Sequence, residues 1–262
     1  ARVQLEGRIQ GVPVHELLPI VQDQGLARLP APSPGDIFLD LEGEPFARDG
    51  GREYLFGLVV LAADGSSTNQ SHWAFSDTEE RIAFETTIDE ILRSWESNPE
   101  MHVYHYAPYE PAAFKRLMGR YATREAEIDR MLRAELFVDL YAVAKHSVRA
   151  SVERYSIKDL EPFYGFTRTV ELGDARTNLR VIERALELGA TAAVTDEVRV
   201  AVEGYNRDDC VSALRLRDWL EQLRTSVEAG GTPVPRPAPK EGAAPAKIDD
   251  RARRVQALVA EL

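Results

Sequence analysis

Asp36-Ile37-Phe38-Leu39-Asp40-Leu41-Glu42-Gly43 is the stretch on which the fold turns. An apolar run this short, with turn chemistry on both sides, predicts a buried strand. Side chains alternate along a strand, so Asp40 and Glu42 fall on the same side of it. Two carboxylates set together repel each other and are costly to desolvate. A divalent cation removes that cost, and hard oxygen donors with few other donors nearby suit Mg2+ or Mn2+ better than zinc. Taken alone, the pattern also describes two acids in the polar turn after a strand.

Upstream, Pro30, Pro32 and Pro34 stand within five residues and break regular structure, so residues 1–35 read as an N-terminal lead-in or linker. Downstream, Tyr54–Leu61 reads as a second strand closed by Ala63-Asp64-Gly65, and Ser71–Phe75 as a third, giving an antiparallel meander. Helical periodicity then takes over. Ser76 or Asp77 caps a helix to about Trp95, with Ile82, Phe84, Ile88, Ile91, Leu92 and Trp95 on its apolar side. Met101–His105 is a fourth strand. Helices follow near 111–120 and 124–133, a short strand or turn at 136–140, and longer helices near 178–188 and 195–223. This order predicts a mixed α/β sheet flanked by helices over residues 36–228. In the remainder, 229–262, the Pro- and Ala-rich Pro233–Ala246 suits a flexible or semi-extended linker. Asp249–Leu262 looks helical and reads as the start of a following segment.

The net charge of −11 is the wrong sign for tight metal-free binding of nucleic acid. It does not oppose a centre whose bound cations supply the local positive charge. No apolar run approaches the roughly 18 residues of a membrane span. The one cysteine, Cys210, excludes an internal disulfide and fits a reducing, cytoplasmic setting; it is expected to pack as a small apolar group. The start lacks both an initiator Met and an apolar signal core, so the chain reads as an excised piece of a longer one. No Cys/His cluster, P-loop or G-x-S-x-G is present.

Two further segments carry acids. In Val103-Tyr104-His105-Tyr106-Ala107-Pro108-Tyr109-Glu110, a strand ends in a proline turn that presents Glu110 at the start of a helix, where the macrodipole alone favours an acid. In Gly204-Tyr205-Asn206-Arg207-Asp208-Asp209-Cys210, Tyr205 and Asp209 are four apart and share a helix face. Asp208 is expected in solvent. His105 is expected either to bond a phosphate or a ligand carboxylate or to sit in the core. Lys158, near Tyr155, is a possible backbone contact or a solvent-facing lysine.

A strand D-x-E, an aromatic–acid pair between strand and helix, and a helical Y-x-x-x-D follow one another in order. That order resembles the DEDD (DnaQ-like) exonuclease superfamily in its tyrosine branch. His105, Tyr109 and Glu110 stand where that family has Asn, an aromatic residue and Asp, and Gly204 where its histidine branch has a base. Together with Tyr155-Ser156-Ile157-Lys158-Asp159-Leu160-Glu161, these segments are most similar to the ribonuclease-H-like domain of predicted bacterial nuclease-helicase proteins, over roughly residues 36–222.

The resemblance implies a ribonuclease-H-like sheet and a 3′-5′ exonuclease acting on single-stranded DNA or RNA. The domain would lie beside RecB-type nuclease and helicase segments of the same longer chain. It implies two Mg2+ or Mn2+ ions held by Asp40, Glu42, Glu110 and Asp209, with Tyr205 orienting water and His105 and Lys158 facing substrate. Asp139 corresponds to a structural segment and stays outside the metal set. The alternative is a non-catalytic nucleic-acid-binding or scaffolding module of such a protein, because Glu110 departs from the family's Asp.

Overall fold

The computed structural model describes residues 2–243, 253–255 and 257–258. α1 (Arg2–Gln10) and β1 (His15–Leu17) precede the strand expected at Asp40, which is β2 (Ile37–Glu44). β3 (Arg52–Leu61) and β4 (Ser67–Trp73) complete the antiparallel meander. Then come α2 (Asp77–Ser97), β5 (Val103–His105), α3 (Tyr109–Tyr121), α4 (Glu125–Arg133) and β6 (Phe137–Asp139). α5 (Leu140–Ser147), β7 (Val148–Ala150), α6 (Ile157–Leu160), α7 (Leu172–Glu187) and α8 (Asp196–Ala229) follow. The main sheet has the order β4-β3-β2-β5-β6, with β2–β5 and β5–β6 parallel.

β2 is the central strand, and its two side-chain sets enter different cores. Ile37, Leu39 and Leu41 pack with Phe84, Ile88 and Ile91 of α2 and with Phe114 and Leu117 of α3. Phe38 packs with Val59, Tyr104 and the α8 residues Leu216 and Leu220. Each such side chain gains roughly 1.5–3 kcal/mol on full burial, so the register is held firmly. A one-residue slip would drive Asp40 and Glu42 into the phenylalanine core. In the observed register they continue the Phe38 face toward α8.

α2 begins as the sequence predicts. Ser76 accepts a hydrogen bond from the Glu79 amide at 3.2 Å, and the Glu79 carboxylate accepts one from the Phe75 amide at 2.9 Å. Ile82 is a correction: it is exposed, not on the apolar side. The buried stripe runs through Phe84, Ile88, Ile91 and Trp95, and Ile82 stands two residues, about 200°, from its phase.

The flanks hold more structure than their composition predicts. β1 pairs antiparallel with β7, and Leu26 and Leu29 are buried in the α8-side core. The described part of the proline-rich stretch after α8, residues 232–243, has no regular secondary structure but is docked. Arg224, 1% exposed, donates to the carbonyls of Leu26, Leu29 (3.1 Å) and Val234 (2.6 Å). Arg133 donates to the Gly242 carbonyl at 2.9 Å. A buried guanidinium needs many acceptors, and a proline-rich chain without regular structure offers carbonyls with no internal partner. The helix expected over Asp249–Leu262 falls mostly outside the described residues; within it, 253–255 and 257–258 are helical.

Candidate metal centre

Asp40 and Glu42 come from β2 and Asp209 from α8. Their ligand oxygens all lie within 4.8 Å of one another. Burial, then repulsion from Asp209, Glu42 and Glu110, holds the Asp40 carboxyl well above the usual carboxylate range. Burial and Asp209 push Glu42 up to about 8. The acids are therefore gathered at an energetic cost in the absence of a cation.

Asn206, one helical turn from Asp209, keeps Asp40 in place. Its amide nitrogen donates to the Asp40 carboxylate at 2.7 Å and to the Asp40 carbonyl at 3.1 Å. Asn206 is fully buried, and Gly57, opposite Asp40 on β3, makes the room. A Cβ at position 57 would lie 1.6 Å from Asn206 Oδ1. Periodicity alone gives no signal for this contact, because it records apolar faces and not amide partners across a sheet.

Asp209 is already paired. Lys158 Nζ, from α6, lies 2.9 Å and 3.0 Å from its two oxygens. Arg168 Nη2 lies 2.6 Å away and also binds Glu161 at 2.5 Å. The ring of Tyr205 packs beside both cations, 5.1 Å from Nζ and 5.5 Å from the Arg168 guanidinium carbon. Burial, then the Asp209 charge, raises the Tyr205 phenol above its ordinary value, so it stays protonated at neutral pH. Burial opposes the Lys158 charge, but Asp209 and Tyr205 outweigh it and raise its pKa.

Asp208 is not in solvent, which corrects the expectation. It accepts hydrogen bonds from the Thr169 amide (2.7 Å), the Thr169 hydroxyl (2.9 Å) and the Val170 amide (3.0 Å). It thereby fixes the loop that brings Arg168 to Asp209. Gly204 lets that loop approach, since a Cβ there would meet Val170 at 2.8 Å. Arg168, Glu161 and Asn206 are site residues that sequence reasoning missed.

Glu110 stands beside the group of three and outside it. It is buried, and its Oε2, 3.3 Å from His105 Nδ1, has no hydrogen-bond partner. Burial raises its pKa against the opposing influence of His105. His105 is itself buried, with Nδ1 2.6 Å from the Ala107 carbonyl and 3.3 Å from Glu110 Oε2. Asp139 caps α5 and also accepts from the Ala107 amide at 2.9 Å, which holds the turn leading to Glu110. Cys210 is fully buried, as expected of a small apolar group. A cleft of about 660 Å3 opens over Asp40, Glu42 and Glu110 and is also lined by Tyr106, Tyr109 and Arg116.

The group contains carboxylate oxygens alone, two of them with raised pKa values, beside an orphaned carboxylate oxygen on Glu110. Such a donor set fits a hard divalent cation. No helix among the described residues is long and apolar enough to cross a membrane.

The five-stranded order, antiparallel then parallel, with an acidic centre between β2 and α8, defines a ribonuclease-H-like α/β protein. A family model described as the RNase H superfamily matches residues 37–221, and the chain belongs to that superfamily. Neither a curated protein nor a solved structure matches the chain.

Proposed function

We propose that this domain is a divalent-metal-dependent nuclease that hydrolyses phosphodiester bonds of single-stranded DNA or RNA. The observation that carries the reading is the convergence of Asp40, Glu42 and Asp209 from a strand and a distant helix. Membership of the RNase H superfamily supports a nucleic-acid substrate. The finer reading is a DEDD-type 3′-5′ exonuclease of the tyrosine branch, within a chain that also carries RecB-type nuclease and helicase segments. It rests on the motif order and on Tyr205 beside Asp209.

Asp40, Glu42 and Asp209 would hold one Mg2+ or Mn2+, and Asp40 with Glu110 a second. Bound ions supply Lewis acidity, lowering the pKa of water and offsetting charge on the phosphate. The protein's own residues do the positioning. Asn206 fixes the rotamer of Asp40, and His105 steadies Glu110. Tyr205, a protonated phenol, orients the attacking water by hydrogen bonding and does not act as a base. Tyr109, on the cleft wall, offers a ring for a base to stack on, and beside it Arg116 is ion-paired with the buried Glu53. Lys158 reaches a backbone phosphate once its bond to Asp209 is given up.

A non-catalytic nucleic-acid-binding module is the second reading, favoured by the position of Glu110 outside the group of three. Labelled single-stranded DNA and RNA, incubated with Mg2+ or Mn2+, separate the two. Wild type is expected to degrade at least one substrate, and Asp40→Asn and Asp209→Asn neither. Wild type that binds both substrates and degrades neither would establish the second reading.

A further inference from the structure

We propose that Lys158 is an exchangeable counter-ion of the centre: its ammonium holds Asp209 while no divalent cation is bound there, and leaves when one binds. This rests on the reading of Asp40, Glu42 and Asp209 as a metal centre, and it adds how that centre is kept and opened.

The two cations on Asp209 differ in how they are held. The Arg168 side chain is 7% exposed and binds Glu161 through both Nε (3.2 Å) and Nη2 (2.5 Å) as well as Asp209. Its neighbours Thr169 and Val170 are fixed by Asp208. It is a permanent part of the wall. Lys158 is different: its side chain is 31% exposed, and its ammonium straddles both Asp209 oxygens. A compact charge on a flexible four-carbon stem can withdraw where a forked, doubly bound guanidinium cannot.

The two occupancies exclude each other. A divalent ion that takes an Asp209 oxygen together with Asp40 and Glu42 sits among atoms less than 4.8 Å apart. The ammonium, at 2.9 Å from Asp209, would then face a doubly charged ion across a few ångströms of poorly screened space. With no ion bound, the same ammonium offsets three gathered carboxylates. Binding linkage then requires that the ammonium weaken metal affinity, and that its removal strengthen it.

The test compares Mn2+ affinity of wild type, Lys158→Met and Lys158→Gln, read from the electron paramagnetic resonance of free Mn2+. Thermal unfolding in EDTA checks that each variant is folded. Both variants are expected to bind Mn2+ at least about fivefold more tightly than wild type. In wild type labelled with 13C at lysine Cε, the one signal missing from Lys158→Met is expected to move toward the free-lysine position as Mg2+ is added. Equal or weaker Mn2+ binding by the folded variants overturns the proposal, as does a Lys158 signal that stays in place while Mg2+ binds. If no protein binds Mn2+ at all, the reading of the metal centre fails with it. If all bind equally, only the role of Lys158 fails.

Discussion

Asn206 and Asp40, 166 residues apart in the chain, are joined by two hydrogen bonds from one amide nitrogen, to the carboxylate at 2.7 Å and to the backbone carbonyl at 3.1 Å. The pair ties α8 to the middle strand at the point where the acids meet. Replacing Asn206 with Ala removes the donor and leaves a buried carboxylate less satisfied, at a cost of about 1–3 kcal/mol. Urea unfolding in EDTA measures that loss, and Mn2+ affinity should fall about tenfold with it. Unchanged Mn2+ binding would show that Asp40 needs no such guide.

Gly57 gives a steric test of the same contact. Gly57→Ala places a methyl group where Asn206 Oδ1 now lies, so helix and strand must separate. The expected loss is about 1–3 kcal/mol, as for overpacked cores. Gly119→Ala is the control: nothing lies within 4 Å of the added carbon, and a helical glycine gains about 0.5–1 kcal/mol on that change. Equal melting temperatures for the two variants would remove the argument.

Glu110 bears on whether the centre is catalytic. Its buried oxygen, without a hydrogen bond and facing the His105 ring at 3.3 Å, is a burden on the metal-free fold. Glu110→Gln should therefore raise stability in EDTA by about 1 kcal/mol, while cutting the nuclease rate more than tenfold. Full activity in this variant would exclude Glu110 from the chemistry.

His102 predicts an acid sensitivity. Burial lowers its pKa from 6.5 to about 4. Below pH 6.5 the unfolded chain therefore takes up a proton that the folded one refuses. Stability from this group is complete above about 6.5 and lost progressively as pH falls to about 4, by at most about 3 kcal/mol. Denaturant titrations at pH 7 and pH 4.5 should show a smaller drop for His102→Gln than for wild type. Equal drops would place the acid sensitivity elsewhere.

What the sequence revealed was set by periodicity. Asp40 and Glu42 could be placed on one face because strand alternation is strict, and Tyr205 and Asp209 because a helix repeats every three to four residues. Buried polar partners leave no such trace. Asp208 looked like a solvent acid because its acceptors are satisfied by backbone amides 38 and 39 residues earlier. Arg168 reaches Asp209 from a loop whose course no local pattern specifies. Ile82 was misplaced for a local reason, since a stripe read from apolar composition takes in a residue two positions away that points to the opposite face. The docked tail was illegible because proline-rich composition describes an extended chain without saying what it lies against.

The adjacent aspartates of α8 have a mechanical consequence. Asp208 grips the loop that bears Arg168, and Asp209 receives that arginine, so loop and helix turn travel as one piece. A small slide of α8 along its axis leaves the spacing between ligand and arginine unaltered. Asn206 spans the gap between that piece and β2.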